Sequence, residues 1–425
     1  MERKWTTNNN INIYHYPNPN THSFCLSLYI KAGVLYEEDE ENGITHFWEH
    51  VIFRNINHLM GGKMYEELDK RGLFFNGATY KEFVQLYIIG APSHFEEAVD
   101  ILLKAFQPLT LPVELVKTEQ QRVKAEIREA EDFKSLDHFA GTHAWKDTPL
   151  RNPILGTKGN VSSFHRKKIA AYHEKMLCPE NLFFYVTGNV TEEQIGQLKA
   201  RGEKLNLISA TDAGTTVHEN LAPVPTGFGE RNLLINVKNS QYTMVNYSFD
   251  FVTSKYTYAE LALLYDILFS GENALLHYEL SEKRGMIYSF SATLEKYSNI
   301  GRMFFVYEVA MRDLYESVEI TTAELARLHE SIERRLALVL PEYTDNAYFI
   351  YDDNEGFNWQ RAYENHIMNG KISSIEETKE QFLAVTPERL KEMAAEIFTL
   401  DTMVLSLKAD KKKLDVELLR NSVKL

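Results

Sequence analysis

The chain contains 425 residues, of which 44% are hydrophobic and 25% charged, as in an ordinary globular protein with room for more than one domain. It has no apolar run of the ~20 residues that a membrane-spanning helix needs, and its two cysteines exclude a disulfide scaffold. The 60 acidic and 46 basic residues leave a net charge of −14, which disfavours nucleic acid as a main partner. This acidity either belongs to a solvated surface or lines a cavity that attracts basic peptides. Because the N-terminus has no apolar signal segment, we expect a cytoplasmic protein.

The first strongly patterned element of the chain is an alternating strand at residues 23–30. The acidic run 37–41 follows and predicts a solvated loop, placed where negative charge favours the start of a helix. A helix that contains residues 42–54 comes next, and apolar side chains cover most of its circumference. A helix that is apolar nearly all round is predicted to be buried.

This predicted helix also carries two histidines and a glutamate. His46, Glu49 and His50 are spaced i, i+3 and i+4, so they lie on one face. Two histidines one turn apart can bind a single tetrahedral metal ion, and a glutamate on the same side can act as a base. The alternative is a pair of hydrogen-bonded core histidines beside a salt-bridged glutamate.

A second helix, predicted at residues 115–130, offers a third metal ligand. Catalytic zinc usually takes three protein ligands and keeps its fourth position open. Glu119 and Glu126 lie two turns apart on or beside the apolar stripe, where carboxylates need a cation or a donor. We expect Glu126 to bind the metal and Glu119 to hold another ligand in place. The alternative is ion pairs with Arg122 or Lys124, whose side chains lie off the stripe.

An internal repeat divides the chain in half. Residues 65–82 and 278–296 share a pattern at an offset of 213, and an alternating strand and an apolar helix precede each copy. A stretch rich in Gly and Pro at 209–229 predicts the linker between a first domain (1–208) and a second domain (230–425). Strands mixed with helices, few of them in βαβ order, predict an α+β fold with two homologous domains. Each domain would be a mainly antiparallel sheet packed with helices.

The second copy of the repeat lacks the metal motif. At the same offset, the two histidines and the glutamate are replaced by Ala259, Ala262 and Leu263. These side chains have no group that binds a cation, so the second domain is predicted to have no metal site.

The motif at residues 46–50, followed 76 residues later by Glu126, resembles the inverzincin signature of the pitrilysin/mitochondrial-processing-peptidase family. The resemblance covers nearly the whole chain through further matches at residues 31–33, 41–44, 72, 76–79, 152–157, 179–181 and 186–189. It implies that His46, His50 and Glu126 bind one Zn²⁺ per chain. It also implies that Glu49 is the general base.

The resemblance further implies how a substrate is bound. Family members hold the substrate backbone as an added strand on a sheet edge. The matching edge contains Phe75, Asn76, Gly77 and Ala78. The second half of family members donates an arginine and a tyrosine seven residues apart, and the tyrosine helps to stabilise the oxyanion. Tyr288 matches the tyrosine, but Ser281 stands where the arginine is expected and lacks its charge and reach.

These observations predict a zinc-dependent endopeptidase that hydrolyses peptides or flexible segments in a chamber. Ser281 leaves the substrate clamp incomplete, and the resemblance implies that family members of this length assemble as pairs of two-domain subunits, so we expect the chain to be the catalytic subunit of a heterodimer. Its zinc-free homologous partner would supply an intact Arg/Tyr pair, whereas the alternative is a self-sufficient homodimer. Bacterial relatives of this size often trim leader peptides, which suggests peptide maturation. The alternative from another functional class is a non-catalytic scaffold or assembly subunit, and such family members have typically lost the metal ligands.

Overall fold

The structure is a computed structural model that describes residues 2–130, 135–146, 148–207, 233–288, 290–297, 300–363 and 374–425. The predicted linker at 209–229 lies outside these described residues. Within them, no helix combines the length and the apolar character that crossing a membrane requires.

The contacts within the chain divide it into two compact units, each assembled from three segments. Unit 1 comprises Met1–Ala130, Asn152–Ala222 and Tyr348–Ser374, and unit 2 comprises Glu131–Arg151, Pro223–Ala347 and Ile375–Leu425. The two halves of the sequence thus exchange short segments, 131–151 and 348–374. The sequence predicted uninterrupted domains and did not reveal this exchange, because helical periodicity does not say which of two similar sheets a helix covers.

Unit 1 is built on one sheet. Its strands are β1 (Arg3–Thr6), β2 (Asn12–Pro17), β3 (Phe24–Ile30), β4 (Phe74–Thr79), β5 (Val84–Gly90) and β6 (Leu182–Gly188). They lie in the order β1-β2-β6-β3-β5-β4, and β2 and β6 form the one parallel pair of this described sheet. Every residue of β3 is buried, whereas β4 forms an edge of the sheet.

Unit 2 repeats this arrangement. Its strands are β7 (Leu234–Asn239), β8 (Met244–Val252), β9 (Phe290–Lys296), β10 (Ile300–Glu308) and β11 (Met403–Ala409). Their order, β7-β11-β8-β10-β9 with β7 and β11 parallel, matches the order β2-β6-β3-β5-β4 of unit 1. The predicted α+β fold with two homologous, mainly antiparallel sheets is therefore confirmed.

Helices pack on both sheets. In chain order they are α1 (Ile44–Leu59), α2 (Met64–Arg71), α3 (Phe95–Leu102), α4 (Val113–Glu129), α5 (Leu136–Ala144), α6 (Lys158–Ser163), α7 (Arg166–Met176), α8 (Glu192–Gly202), α9 (Tyr258–Phe269), α10 (Leu275–His277), α11 (Leu314–Ala326), α12 (Ile332–Thr344), α13 (Asn354–Gln360), α14 (Ile375–Leu383), α15 (Pro387–Ile397) and α16 (Val416–Ser422). In unit 1, α3 packs on β3 and β5, and α1 packs on the edge strand β4.

Each exchanged segment carries a short helix that packs on the sheet of the other half. Helix α13 packs on β3 and β6, where the side-chain nitrogen of Asn358 donates to the backbone oxygens of Cys25 and Tyr185, both at 3.1 Å. In unit 2, α5 packs on β8 and β11, and Nε1 of Trp145 donates to Oδ2 of Asp250 at 3.0 Å. Buried polar groups are expected to find partners, and in both sheets the exchanged segment supplies them.

Candidate metal centre and active site

Helices α1 and α4 pack against each other and bring together the residues predicted to bind metal. Nε2 of His46 lies 3.5 Å from Oε1 of Glu126, and Nε2 of His50 lies 3.4 Å from Oε2 of the same carboxylate. One ligand atom from each of the three residues lies within 4.8 Å of the other two. Glu126 comes 76 residues after His50, so the packing of two helices creates this cluster.

The donor set of this cluster fits zinc. Two imidazole nitrogens and one carboxylate oxygen are ligands that zinc prefers, and three protein ligands leave a fourth tetrahedral position open. Ligand atoms that lie 2.0–2.1 Å from a tetrahedral ion are about 3.4 Å apart. The distances from the two histidines to Glu126, 3.5 and 3.4 Å, match this spacing. These two distances end at different oxygens of Glu126, so the three side chains fit zinc as a set of donors that lie close together.

Carboxylates around the histidine pair stabilise positive charge there. Burial by itself would lower the pKa of His50, but its hydrogen bonds to Glu119 and Glu126 raise that pKa to about 9. Hydrogen bonds from His46 and His50 hold the pKa of the Glu126 carboxyl well below its usual range. The same negative charge favours a metal cation beside the two imidazoles.

Glu119, predicted to hold a ligand in place, contacts the other nitrogen of His50. Its Oε2 lies 3.5 Å from Nδ1 of His50, and its Oε1 accepts a hydrogen bond from Nε of Arg54 at 2.6 Å. Burial would raise the pKa of Glu119, but the hydrogen bonds with His50 and Arg54 lower it. A charged carboxylate on Nδ1 fixes the orientation of the ring, so that Nε2 faces Glu126. Its basic partner lies on α1, not among the arginines and lysines of α4.

Glu49 points from α1 towards the edge strand β4. Its Oε2 accepts a hydrogen bond from the Thr79 hydroxyl at 2.5 Å. Gly77 faces the same carboxylate, and a Cβ added there would lie 3.1 Å from Oε1 of Glu49 and 2.8 Å from the ring of Phe53. The strand therefore holds the carboxylate through Thr79 and leaves room for it at Gly77. The contact between Thr79 and Glu49 was not predicted, because no local pattern connects a helix residue to a strand residue 30 positions later.

Strand β4 also contains the residues predicted to bind substrate. Among the described strands it pairs with β5 alone, so its outer main-chain groups can accept an added strand. The ring of Phe75 packs on Phe53 of α1, with centroids 4.6 Å apart. Because side chains alternate along a strand, Asn76 and Ala78 face the opposite side of the sheet.

The N-terminus of α1 is held by a carboxylate that was predicted to be solvated. Glu37 is buried and accepts hydrogen bonds from the backbone nitrogens of Gly43 at 2.8 Å and Thr45 at 2.9 Å. The prediction of a solvated loop is therefore wrong for Glu37, because the first turn of the helix needs acceptors for its free N–H groups. Gly43, at φ 91°, packs so closely on Gly156 that a Cβ would lie 2.5 Å from the Gly156 Cα.

Trp48 fixes the rotation of α1 through a contact that the sequence did not reveal. Its Nε1 donates to Nδ1 of His173 at 3.0 Å, and Nε2 of His173 lies 3.0 Å from the backbone oxygen of Gln107. Burial lowers the pKa of His173 to about 4, so the ring is neutral at pH 7 and both of its nitrogens are hydrogen-bonded. Because Glu49 follows Trp48 directly, this contact also sets the direction of the Glu49 side chain. No local pattern connects residues that lie 125 positions apart.

The residues singled out in the second half of the sequence lie in unit 2. Tyr288 is 95% exposed, and the Ser281 hydroxyl lies 3.5 Å from its backbone oxygen. Ala259, Ala262 and Leu263 lie on α9 and are buried in the apolar core of unit 2. The part that Tyr288 plays in catalysis stays a prediction.

Two models of one protein family match most of the chain. The model described as Insulinase (Peptidase family M16) matches residues 14–158. The model described as Peptidase M16 inactive domain matches residues 163–334.

Individual proteins are similar over all or part of the chain. An uncharacterized zinc protease of Rickettsia felis is 25% identical over 403 residues, covering 92% of this chain and 93% of that protein. A probable mitochondrial-processing peptidase subunit beta of Arabidopsis thaliana is 29% identical over 198 residues, 46% of this chain and 37% of that protein. The crystal structure of a protease from Helicobacter pylori shares the fold, with a TM-score of 0.80 at 16% identity over 96% of this chain and 99% of that one. The chain belongs to the M16, pitrilysin-like family of peptidases.

Proposed function

We propose that this chain is a zinc-dependent endopeptidase whose active site lies on α1, α4 and β4. The observation that carries the proposal is the meeting of Glu126 with His46 and His50, at 3.4–3.5 Å, across 76 residues of sequence. The name zinc protease, given to the similar protein of Rickettsia felis, supports the same metal. In the proposal these three side chains bind one Zn²⁺ per chain.

A bound zinc ion would supply Lewis acidity, which polarises a peptide carbonyl and makes water acidic near neutral pH. Glu49 takes the proton of the attacking water and passes it to the leaving amine. The hydrogen bond from Thr79 holds one oxygen of Glu49, so that the other is free to exchange the proton. Glu119 and Arg54 keep His50 in its binding orientation throughout.

The substrate in this proposal is a peptide or a flexible protein segment. Its backbone adds as a strand to the outer edge of β4, along Phe75, Asn76, Gly77 and Ala78. Main-chain hydrogen bonds then supply affinity without regard to sequence, and alternate side chains face opposite sides of the sheet. Folded proteins cannot present an extended backbone to this edge, which restricts hydrolysis to unfolded chain.

The proposal extends to a partner subunit. Because Ser281 replaces the expected arginine, a homologous zinc-free subunit supplies an intact Arg/Tyr pair and completes the chamber. A relative named as a subunit, the beta subunit of the mitochondrial-processing peptidase, supports this arrangement over a homodimer. Leader-peptide removal in the cytoplasm is the role that we assign to the pair. A non-catalytic scaffold role is the weaker candidate, because His46, Glu49, His50 and Glu126 are all retained.

The test is the variant Glu49→Gln, which keeps the size of the side chain and removes the base. We expect it to bind zinc like the wild type while its kcat for peptide hydrolysis falls by about 10²–10⁴-fold. Glu114→Gln, an exposed glutamate on α4, is the control and should retain full activity. Both variants are assayed alone and with the zinc-free homologue added. Undiminished turnover by Glu49→Gln would contradict the proposed role of Glu49.

A further inference from the structure

A cavity of about 350 Å³ lies beside the edge strand β4 in unit 1. Ala78 and Tyr87 contribute to one wall, and Asp353, Glu355 and Trp359, from α13 and the residue before it, form the other. Because Gly77 and Thr79 face Glu49 on α1, the intervening residue Ala78 faces away from it, and the cavity lies on that opposite side of the sheet. Its size is near the lower end of the range for ligand pockets, about 300–1,000 Å³.

The polar groups that line this cavity are mainly hydrogen-bond acceptors. Gln85 is 3% exposed, and its side-chain nitrogen donates to the Ser27 hydroxyl at 3.3 Å. In the described part of the chain no hydrogen bond to its amide oxygen is present, and this oxygen is not among the fully buried atoms that lack a partner, so it is open to the cavity. An acceptor that is open to the cavity can accept a hydrogen bond from a ligand that carries N–H groups.

The charge of the cavity is negative. Oδ1 of Asp353 accepts a hydrogen bond from the backbone N–H of Glu355 at 3.1 Å. The Glu355 carboxylate contacts the Tyr87 hydroxyl, and the burial of Tyr87 together with this contact raises the pKa of Tyr87. Among the described residues, no lysine or arginine forms an ion pair with either carboxylate. A cation entering the cavity would therefore meet two carboxylates that are not neutralised by a neighbouring basic side chain.

We propose that this cavity binds the lysine or arginine side chain of a peptide that adds as a strand to β4. This inference rests on the proposed function for the mode of peptide binding, but it concerns recognition and not hydrolysis. The residue of the added strand that lies opposite Ala78 points into the cavity, while its two neighbours point towards α1 and Glu49.

The cavity offers each part of such a side chain a partner. Its charged end reaches Glu355 and the unpaired oxygen of Gln85. Its aliphatic part passes the rings of Tyr80 and Trp359, whose centroids are 6.2 Å apart, and aromatic faces also attract a guanidinium or an ammonium group. The net charge of −14 would also attract basic peptides to the protein as a whole.

The experiment measures the binding of fluorescent peptides to the full-length, zinc-loaded Glu49→Gln chain by anisotropy. The peptides differ at one position at a time, where arginine is compared with uncharged citrulline and lysine with norleucine. At one position, we expect the basic residue to bind about tenfold more tightly than its uncharged analogue, a difference of about 1.4 kcal/mol. At the other positions the two should bind alike.

Variants of the cavity then identify the site. Glu355→Gln combined with Asp353→Asn, which preserves the helix cap, should reduce the basic preference to less than about threefold at that position alone. Glu355→Lys should shift the preference at the same position towards glutamate. Glu174→Gln, which removes one charge from the exposed face of α7, is the control and should leave the preference intact. Thermal unfolding of each variant shows whether it is folded.

Three results would overturn the inference. They are an unchanged preference in the folded double variant, a basic preference at no position, and a lack of binding by every peptide. Failure of the proposed function looks different, because the wild-type chain would then hydrolyse none of these peptides, alone or with the zinc-free homologue added, while the basic preference in binding persisted.

Discussion

Units 1 and 2 have the same order of five strands, yet they differ at the helix that carries the proposed metal ligands in unit 1. Helix α1 places His46 and His50 beside two carboxylates of α4 and Glu49 beside β4, whereas the matching positions of α9 are alanines and a leucine in an apolar core. The fold therefore does not depend on polar residues at these positions. In unit 1 the scaffold is combined with buried charges, each of which needs a specific partner.

The two units differ at the candidate metal site, but they are alike in their exchanged segments. In unit 2, Arg302 of β10 is buried and pairs with Asp137 of the exchanged segment at 2.6 Å. In unit 1, Asn358 of the exchanged segment donates hydrogen bonds to the backbone of the central strands. Both sheets thus depend on a helix from the other half of the sequence. This shared feature is structural, whereas the cluster of His46, His50 and Glu126 belongs to unit 1.

The difference between the two units is removed most completely when α1 receives the residues that α9 has at the three matching positions. The triple variant His46→Ala, Glu49→Ala and His50→Leu should lose zinc binding and peptide hydrolysis entirely, because the ligands and the base are removed. It should still fold, since unit 2 forms the same strand order with these residues. Metal analysis and circular dichroism check the two statements. An unfolded triple variant would show that the scaffold needs the polar cluster.

A smaller effect is expected when only the support of a ligand is removed. Glu119→Gln leaves the three proposed ligands in place but loses the charge that orients His50 and pairs with Arg54. Zinc affinity should fall by about 10–100-fold in competition with a chromophoric chelator. The variant Glu114→Gln, on the same helix, is the matched control. Equal zinc affinity in the two variants would contradict the proposal that Glu119 orients His50 for zinc binding.

The smallest effect concerns the strand that faces the base. Thr79→Val deletes the hydroxyl that donates to Glu49 and should lower kcat about tenfold, with zinc content and KM unchanged. Thr79→Ser keeps the hydroxyl and should restore kcat. If the valine and serine variants lose activity equally, or if KM rises and kcat does not fall, the hydroxyl does not position Glu49.

Much of the metal cluster could be predicted from the sequence because it follows from helical spacing. The i, i+3, i+4 positions of His46, Glu49 and His50, and the two-turn spacing of Glu119 and Glu126, each place polar groups on one face of a predicted helix. The internal repeat predicted two similar units in the same way. Their roles as ligands, base and support are proposals that the distances between these side chains favour.

The contacts that fix this cluster could not be predicted, since they join residues that are distant in the sequence. His173 meets Trp48 across 125 positions, and Glu37 is buried because it satisfies the first turn of α1. The exchange of segments between the halves is equally invisible, because either sheet offers a similar surface to an amphipathic helix. Tyr288, matched through the family resemblance, stays a prediction.

The most direct test of the central claim is the zinc content of Glu126→Gln after dialysis. Glutamine preserves the size of the side chain but is a poor zinc ligand, so we predict much less than one zinc per chain, against one in the wild type. Glu129→Gln, an exposed position on the same helix, should retain one zinc per chain. If Glu126→Gln also retained one zinc per chain with unchanged affinity, the assignment of Glu126 as a ligand would be contradicted.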